Sequence, residues 1–294
     1  MGIGVEGVMI LVTGAGGKTG EAIVAALAAK GEMVRAYVRS EARIAGLEAV
    51  GANDVSVGAM DDVQALTRAM TGARAVYHIC PNVSPAEVAF AKVAVAAAKA
   101  AGVSRFVFHS VLHPQIEAMP HHWEKMRVEE MLFGTDLDVT ILQPTAYMQN
   151  LLAGRRSIVD EGVIRAPYPA ATRISLVDLV DVAEAAALVL TQPGHGGATY
   201  ELVGTPALSQ IEVAETLGRA LSRSVRAEEQ PLAAWEAQAR TSGLGDYQRE
   251  TLAKMFRWYA RSGLVGNTNA LTWLLGRAPT TLEAFAKRAA AGQA

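Results

Sequence analysis

Near the N-terminus, Thr13-Gly14-Ala15-Gly16-Gly17-Lys18-Thr19-Gly20 puts glycines where an apolar run gives way to a helical pattern. Gly14 suits a tight turn, Gly17 lets the backbone approach a pyrophosphate, and Gly20 lets the helix close on the strand. Exposed N–H groups at the helix start, from Lys18 and Thr19 onward, can then hold phosphates. The spacing is GxxGxxG, with Gly16 meeting part of the commoner GxGxxG pattern. A Walker loop is excluded, because GK[ST] does not fall at the required distance. Further on, Tyr37-Val38-Arg39-Ser40 offers no carboxylate for a ribose 2′-hydroxyl. Arg39 can instead grip a 2′-phosphate bidentately, Ser40 can donate to it, and Lys18 adds a second positive charge. These residues favour NADP(H) and leave NAD(H) open.

Four histidines, His109, His113, His121 and His122, lie close together in the chain. Their spacing matches no HExxH pattern and Glu124 is wrongly placed for one, so no metal is expected. His109 reads as buried structure, and Ser110 to Trp123 as part of a substrate wall. Cys80 is the single cysteine. Nothing beside it would lower its pKa, so a redox role is not expected.

The elements that must position these groups alternate. Apolar runs at Val8–Thr13, Met33–Val38, Asp54–Val57, Ala75–Cys80, Arg105–His109 and Val139–Leu142 read as strands. Helical stretches separate them, among them Thr19–Lys30 and Pro85–Ala101. Such repeats predict an α/β, doubly wound parallel-sheet Rossmann fold with right-handed crossovers. Beyond Pro144 the pattern weakens: Ser175–Leu190 reads as a helix, Thr199–Val203 as a further strand, and the rest as mostly helical. The expected division is a dinucleotide-binding domain over 1–205, with 145–175 contributing to the substrate side, and a smaller, mostly helical C-terminal lobe over 206–294.

Hydrophobic residues make up 51% and charged ones 19%, which suits a packed globule and argues against disorder. A net charge of −2 offers no footprint for nucleic acid or an anionic membrane. The lone cysteine, the absence of a signal pattern in Met1–Glu6 and the shortness of apolar runs such as Val93–Ala98 predict a cytoplasmic protein.

In order and spacing, several segments resemble the NmrA-like group of atypical short-chain dehydrogenase/reductases. They are LVTGAGGKTG, VRAYVRS, AKAAGVSRFVFHSV, VTILQPTAYMQNLL, SLVDLVDVAEAAA, TYELVG and LLGRAPTTLEAFAKR. The resemblance covers nearly the whole chain. It implies a cofactor site made by the glycine loop, Arg39 and the loop Cys80-Pro81-Asn82. It also implies that Pro144 to Tyr147 lie near the nicotinamide. The chain departs from the family at Ala59, where an acidic residue usually meets the adenine; Asp61 and Asp62 are displaced, and backbone groups at Ala59 and Met60 would have to substitute.

Short-chain dehydrogenases pair a serine with a tyrosine four residues before a lysine, the phenol handling the proton. Against that pattern, Ser110 fills the serine place and Lys125 the lysine place, but His121 stands where tyrosine belongs. Histidine can move a proton near neutral pH. Two functions follow: an NADPH-dependent reductase of a small, planar, electron-poor compound such as a quinone, or a non-enzymatic NADP(H) sensor acting through a protein partner. A homodimer is compatible with either. Tyr147 and Met148 are the better pocket candidates; Trp235, Tyr247, Phe256, Trp258, Tyr259 and Trp273 line a pocket or fill a small core.

Overall fold

Residues 9–292 are described by a computed structural model; Val8 and the segment Met1–Glu6 lie outside them. Six strands open the fold: β1 (Met9–Thr13), β2 (Val34–Val38), β3 (Asp54–Val57), β4 (Ala73–His78), β5 (Arg105–His109) and β6 (Asp138–Pro144). Between them run α1 (Lys18–Ala29), α2 (Ile44–Ala49), α3 (Val63–Met70), α4 (Glu87–Ala100) and α5 (Pro120–Phe133). The sheet order is β3-β2-β1-β4-β5-β6, with Thr199–Leu202 added beside β6. The pairings β2–β3, β1–β2, β1–β4, β4–β5 and β5–β6 are all parallel. Chain order reverses between β1 and β4, and in such sheets that crevice takes the ligand.

The strands are continuous apolar runs because both faces are covered. Ile10, Leu11 and Val12 are fully buried. Leu11, Val76, Phe106, Phe108 and Ile141 pack with Leu66, Ala94 and Ala98 into one cluster. These belong to the first of two compact units, formed by 1–110, 124–143 and 182–200.

The second unit takes 111–123, 144–181 and 201–294. Its core joins Leu112, Met148, Ile174, Leu217, Leu264 and Phe285. Two readings of the sequence need correction here. The stretch Ser175–Leu190 is not one helix: Leu176–Val177 is extended against Ala146–Tyr147, and α6 runs Leu179–Thr191. The Asp178 side chain accepts from the Val180 N–H at 3.1 Å and so starts the helix late. Arg226–Glu229, within a region read as mostly helical, is a strand parallel to Val163–Ala166. Its run of charges hides a strand of which neither end residue is buried. At β4 the register also moves: the strand ends at His78, two residues before the predicted Cys80.

Candidate functional site

β1 ends at Thr13, whose hydroxyl accepts from the Ile79 N–H at 3.0 Å and shares a 3.0 Å hydrogen bond with His78 Nδ1. The ends of β1 and β4 are thereby tied together. Gly14 follows with φ +62, and a Cβ there would lie 2.7 Å from the Ile79 carbonyl oxygen. A Cβ on Gly20 would fall 2.6 Å from both the Gly14 oxygen and the Ala15 Cα. Both glycines are sterically required. Gly17 turns the chain, its N–H donating to the Gly14 oxygen at 3.1 Å, and stands immediately before α1. Gly17 and Lys18 are exposed while Gly20 is buried. The loop thus presents backbone and a helix N-terminus outward, and a diphosphate fits such a cradle.

Arg39 and Ser40 leave β2 exposed, as their proposed ligand needs. Ser40 Oγ accepts from the Ala42 N–H at 3.4 Å, capping a short 3-10 turn over Glu41–Arg43 and leaving its own proton to donate. That turn brings in Arg43, which the sequence reading missed. Its Cγ would lie 3.1 Å from a Cβ on Gly16, so its stem crosses the glycine loop. Lys18, Arg39 and Arg43 have no ion-pair partner among the described residues, whereas Arg35 and Arg74 are each paired. Three uncompensated cations about one loop favour a dianionic phosphate.

After β4, Cys80 is buried while Pro81 and Asn82 are exposed. Burial, then the nearby Glu87 charge, raises the Cys80 pKa, so the thiol stays protonated. Val83 takes φ +50, rare for a β-branched residue, and turns the loop toward α4. At the adenine corner, the Ala59 carbonyl accepts from the Tyr37 hydroxyl at 2.9 Å, and Asp62 caps α3. Burial and the Asp62 charge push that phenol up to about 12.

Lys125, on α5, is held from two sides. Its Nζ donates to Glu87 Oε1 at 2.8 Å and to the His109 carbonyl at 3.0 Å, and sits 5.2 Å from the Phe108 ring centre. Glu87 opens α4 and is 3% exposed, where the helix N-terminus favours its negative charge. Two of three ammonium donors are taken; the third has no partner among the described residues. His109 is buried, as read from the sequence, and shares a 2.7 Å hydrogen bond with the Tyr77 hydroxyl. Burial, then the Lys125 charge, lowers its pKa to about 3, and that of His78 likewise. Neither histidine carries charge near neutrality.

Ser110 is buried at the end of β5. Its hydroxyl donates to Glu129 Oε1 on α5, and Gln143 Nε2 on β6 donates to both oxygens of that carboxylate, at 2.9 and 3.0 Å. Glu129 and Glu87 were invisible to motif reading because their roles come from crossing elements. His121 forms a T-shaped pair with His122, ring centres 4.5 Å apart, and His122 Nδ1 is 3.3 Å from the His113 carbonyl. Pro144 accepts from the Leu112 N–H at 2.9 Å, and Tyr147 is half-buried on its short strand. Of the C-terminal aromatics, Tyr259 is in the core of the second unit, with Phe256 and Trp258 packed against it; Tyr168 packs on Phe256 and Tyr259, and Trp235 lies 4.8 Å from Phe256. Trp273 is 76% exposed.

A family model described as the NmrA-like family matches residues 7–286. The chain is 31% identical over 292 residues to an NAD(P)H azoreductase of Xenophilus azovorans, covering 96% of this chain and 98% of that one. It is 28% identical over 278 residues to quinone oxidoreductase 2 of Escherichia coli (strain K12), covering 93% and 96%. The solved structure of the NADPH-dependent quinone oxidoreductase from Escherichia coli with NADPH superposes with a TM-score of 0.82, covering 96% of this chain and 99% of that chain. Among the described residues no helix is long and apolar enough to cross a membrane.

Proposed function

The chain belongs to the NmrA-like family, and from that premise we propose that it is an NADPH-dependent reductase of small, planar, electron-poor acceptors such as quinones. The observation that carries this reading is the cradle after β1, where Gly14 and Gly20 have no room for a Cβ, the Arg43 stem lies over Gly16, and Lys18, Arg39 and Arg43 make no ion pair among the described residues. Relatives named as reductases, matched across nearly their whole length, support it. When bound, a reduced nicotinamide supplies a hydride.

The chain's own residues do the rest. Gly14, Gly16, Gly17, Thr19 and Gly20 seat the diphosphate against α1, while Lys18, Arg39, Ser40 and Arg43 receive the 2′-phosphate. Cys80 and Pro81 stand in the loop after β4 and are assigned to the nicotinamide half; the family resemblance adds Pro144, which ends β6, and Tyr147, on the short strand that follows. Lys125 keeps one N–H for a ribose hydroxyl, held in place by Glu87 and the His109 carbonyl. Ser110 is the group through which a proton reaches the reduced substrate.

The test mixes protein, NADPH and a panel of quinones and azo dyes, and follows the absorbance of the reduced nicotinamide. Turnover that Lys125→Ala abolishes supports the reductase. Tight NADPH binding with no oxidation across the panel would return the protein to the sensor reading, in which the nucleotide is a signal and the partner another protein.

A further inference from the structure

Along α5, residues 121, 125 and 129 fall at i, i+4 and i+8, one stripe of a single helix. The first takes the place where a tyrosine would donate a proton, and the second is the lysine already described. The third is a carboxylic acid, 4% exposed, with the hydroxyl of Ser110 on one oxygen and the amide of Gln143 donating to both. An ionisable group buried this deeply, fixed by neutral partners and joined to the serine at the end of β5, asks for a role.

We propose that Glu129 stores the proton that the missing tyrosine would have supplied, and that Ser110 Oγ passes it to the substrate. This rests on the reductase reading above, which puts Ser110 against the acceptor. In an azo compound the N=N bond takes a hydride from the reduced nicotinamide at one nitrogen. With Glu129 protonated, its carboxyl donates to Ser110 Oγ, the reverse of the bond made by the carboxylate; the other nitrogen then takes the Ser110 hydroxyl proton as Ser110 Oγ takes the proton of the Glu129 carboxyl. Glu129 is left as carboxylate and regains a proton from solvent. The sum is azo compound, NADPH and H⁺ giving hydrazo compound and NADP⁺.

Burial raises the Glu129 pKa, opposed by the Ser110 and Gln143 hydrogen bonds and by the Lys125 charge one turn away. From β5 and β6 the groups facing it, Ser110 and Gln143, are uncharged; Lys125 on its own helix is the cation acting on it. The balance leaves a carboxyl that holds its proton at higher pH than a solvated glutamate. Gln143 keeps it oriented in either state, because the carboxylate accepts from the amide and the acid retains a carbonyl to do the same.

The experiment compares three acceptors that differ in their need for a proton. A neutral azo dye requires one, a quinone is helped by one, and a cationic triarylmethane dye becomes neutral on hydride alone. Glu129→Gln keeps the shape and loses the acid, and is expected to cut azo turnover about a hundredfold, the usual contribution of a general acid. The ratio of azo to triarylmethane turnover should fall by nearly the same factor, with quinones between. Ser110→Ala should reproduce the pattern and Glu129→Asp should restore part of it. A readout without nucleotide accompanies these: the carboxyl carbon resonance that disappears in Glu129→Gln should titrate above the ordinary glutamate range and move in Ser110→Ala. Equal losses on all three acceptors, or a resonance titrating at or below the ordinary range, would overturn the proposal and leave the reductase standing. Failure of the wild type to oxidise NADPH with any acceptor would remove both.

Discussion

Arg43 reaches the glycine loop without belonging to any motif. Four positions after Arg39 it is one more exposed arginine, and only the 3-10 turn capped by Ser40 swings its stem across Gly16. Glu87 and Glu129 were hidden for the same reason: each acts on a residue that another element delivers. By contrast, the glycines and Arg39 were legible, since their conformational and charge requirements are local. Arg43→Ala and Arg39→Ala should each weaken NADPH about tenfold, one charge-assisted contact to phosphate, and leave NADH within about twofold. Titration calorimetry with both nucleotides checks this, and equal weakening would assign Arg43 to the shared diphosphate instead. The buried histidines make a pH prediction. Folding holds His78 and His109 neutral, with pKa values lowered from 6.5 to about 3 by burial and then by Lys125. That stability is whole above about pH 6.5 and is lost as pH falls toward 3, by about 1.4 kcal/mol per pH unit for each histidine. Urea unfolding between pH 7 and 5 should show the slope, and His109→Asn should flatten it.

At the scale of elements, the continuous apolar strands were readable because a two-sided parallel sheet demands them, and their ends slipped by only a residue or two. What failed was a stretch where helix and strand patterns coincide: Ser175–Val177 is as apolar as the helix that follows, and Asp178 decides the boundary. Two helical glycines test how well the elements are understood. Gly46, in α2, has open space where a Cβ would go, so Gly46→Ala should stabilise by about 0.5–1 kcal/mol through helix propensity. Gly20, in α1, would drive its Cβ into Gly14 and Ala15. Gly20→Ala should therefore destabilise by about 1–3 kcal/mol despite the same propensity gain, and weaken NADPH as well. Opposite signs in thermal unfolding are the expected result; a stabilised Gly20→Ala would mean that the loop is looser than its geometry.

Over the whole molecule, the C-terminal residues close back on the start of α6, within the second unit. Asp178 and Asp181 have fully buried side chains. Asp181 receives Arg277 at 2.8 Å and both the N–H and hydroxyl of Thr280, at 2.6 and 3.1 Å. Asp178 accepts from Gln149 at 2.8 Å and pairs with Arg288, whose guanidinium also lies over Phe285. The segments resembling the family, SLVDLVDVAEAAA and LLGRAPTTLEAFAKR, are thus joined by two ion pairs whose carboxylates are buried, which sequence alone showed only as separate stretches. A carboxylate sealed from water costs most when its cation is removed. Arg288 is 29% exposed, so solvent screens part of the loss. Arg288→Ala should cost about 2 kcal/mol in urea unfolding, and adding Asp178→Asn should recover much of it, because the amide needs no cation. If the double variant were as weak as the two single losses added together, the contact would be packing of the arginine stem and not charge, and the C-terminal helix would be held by Phe285 and its apolar neighbours.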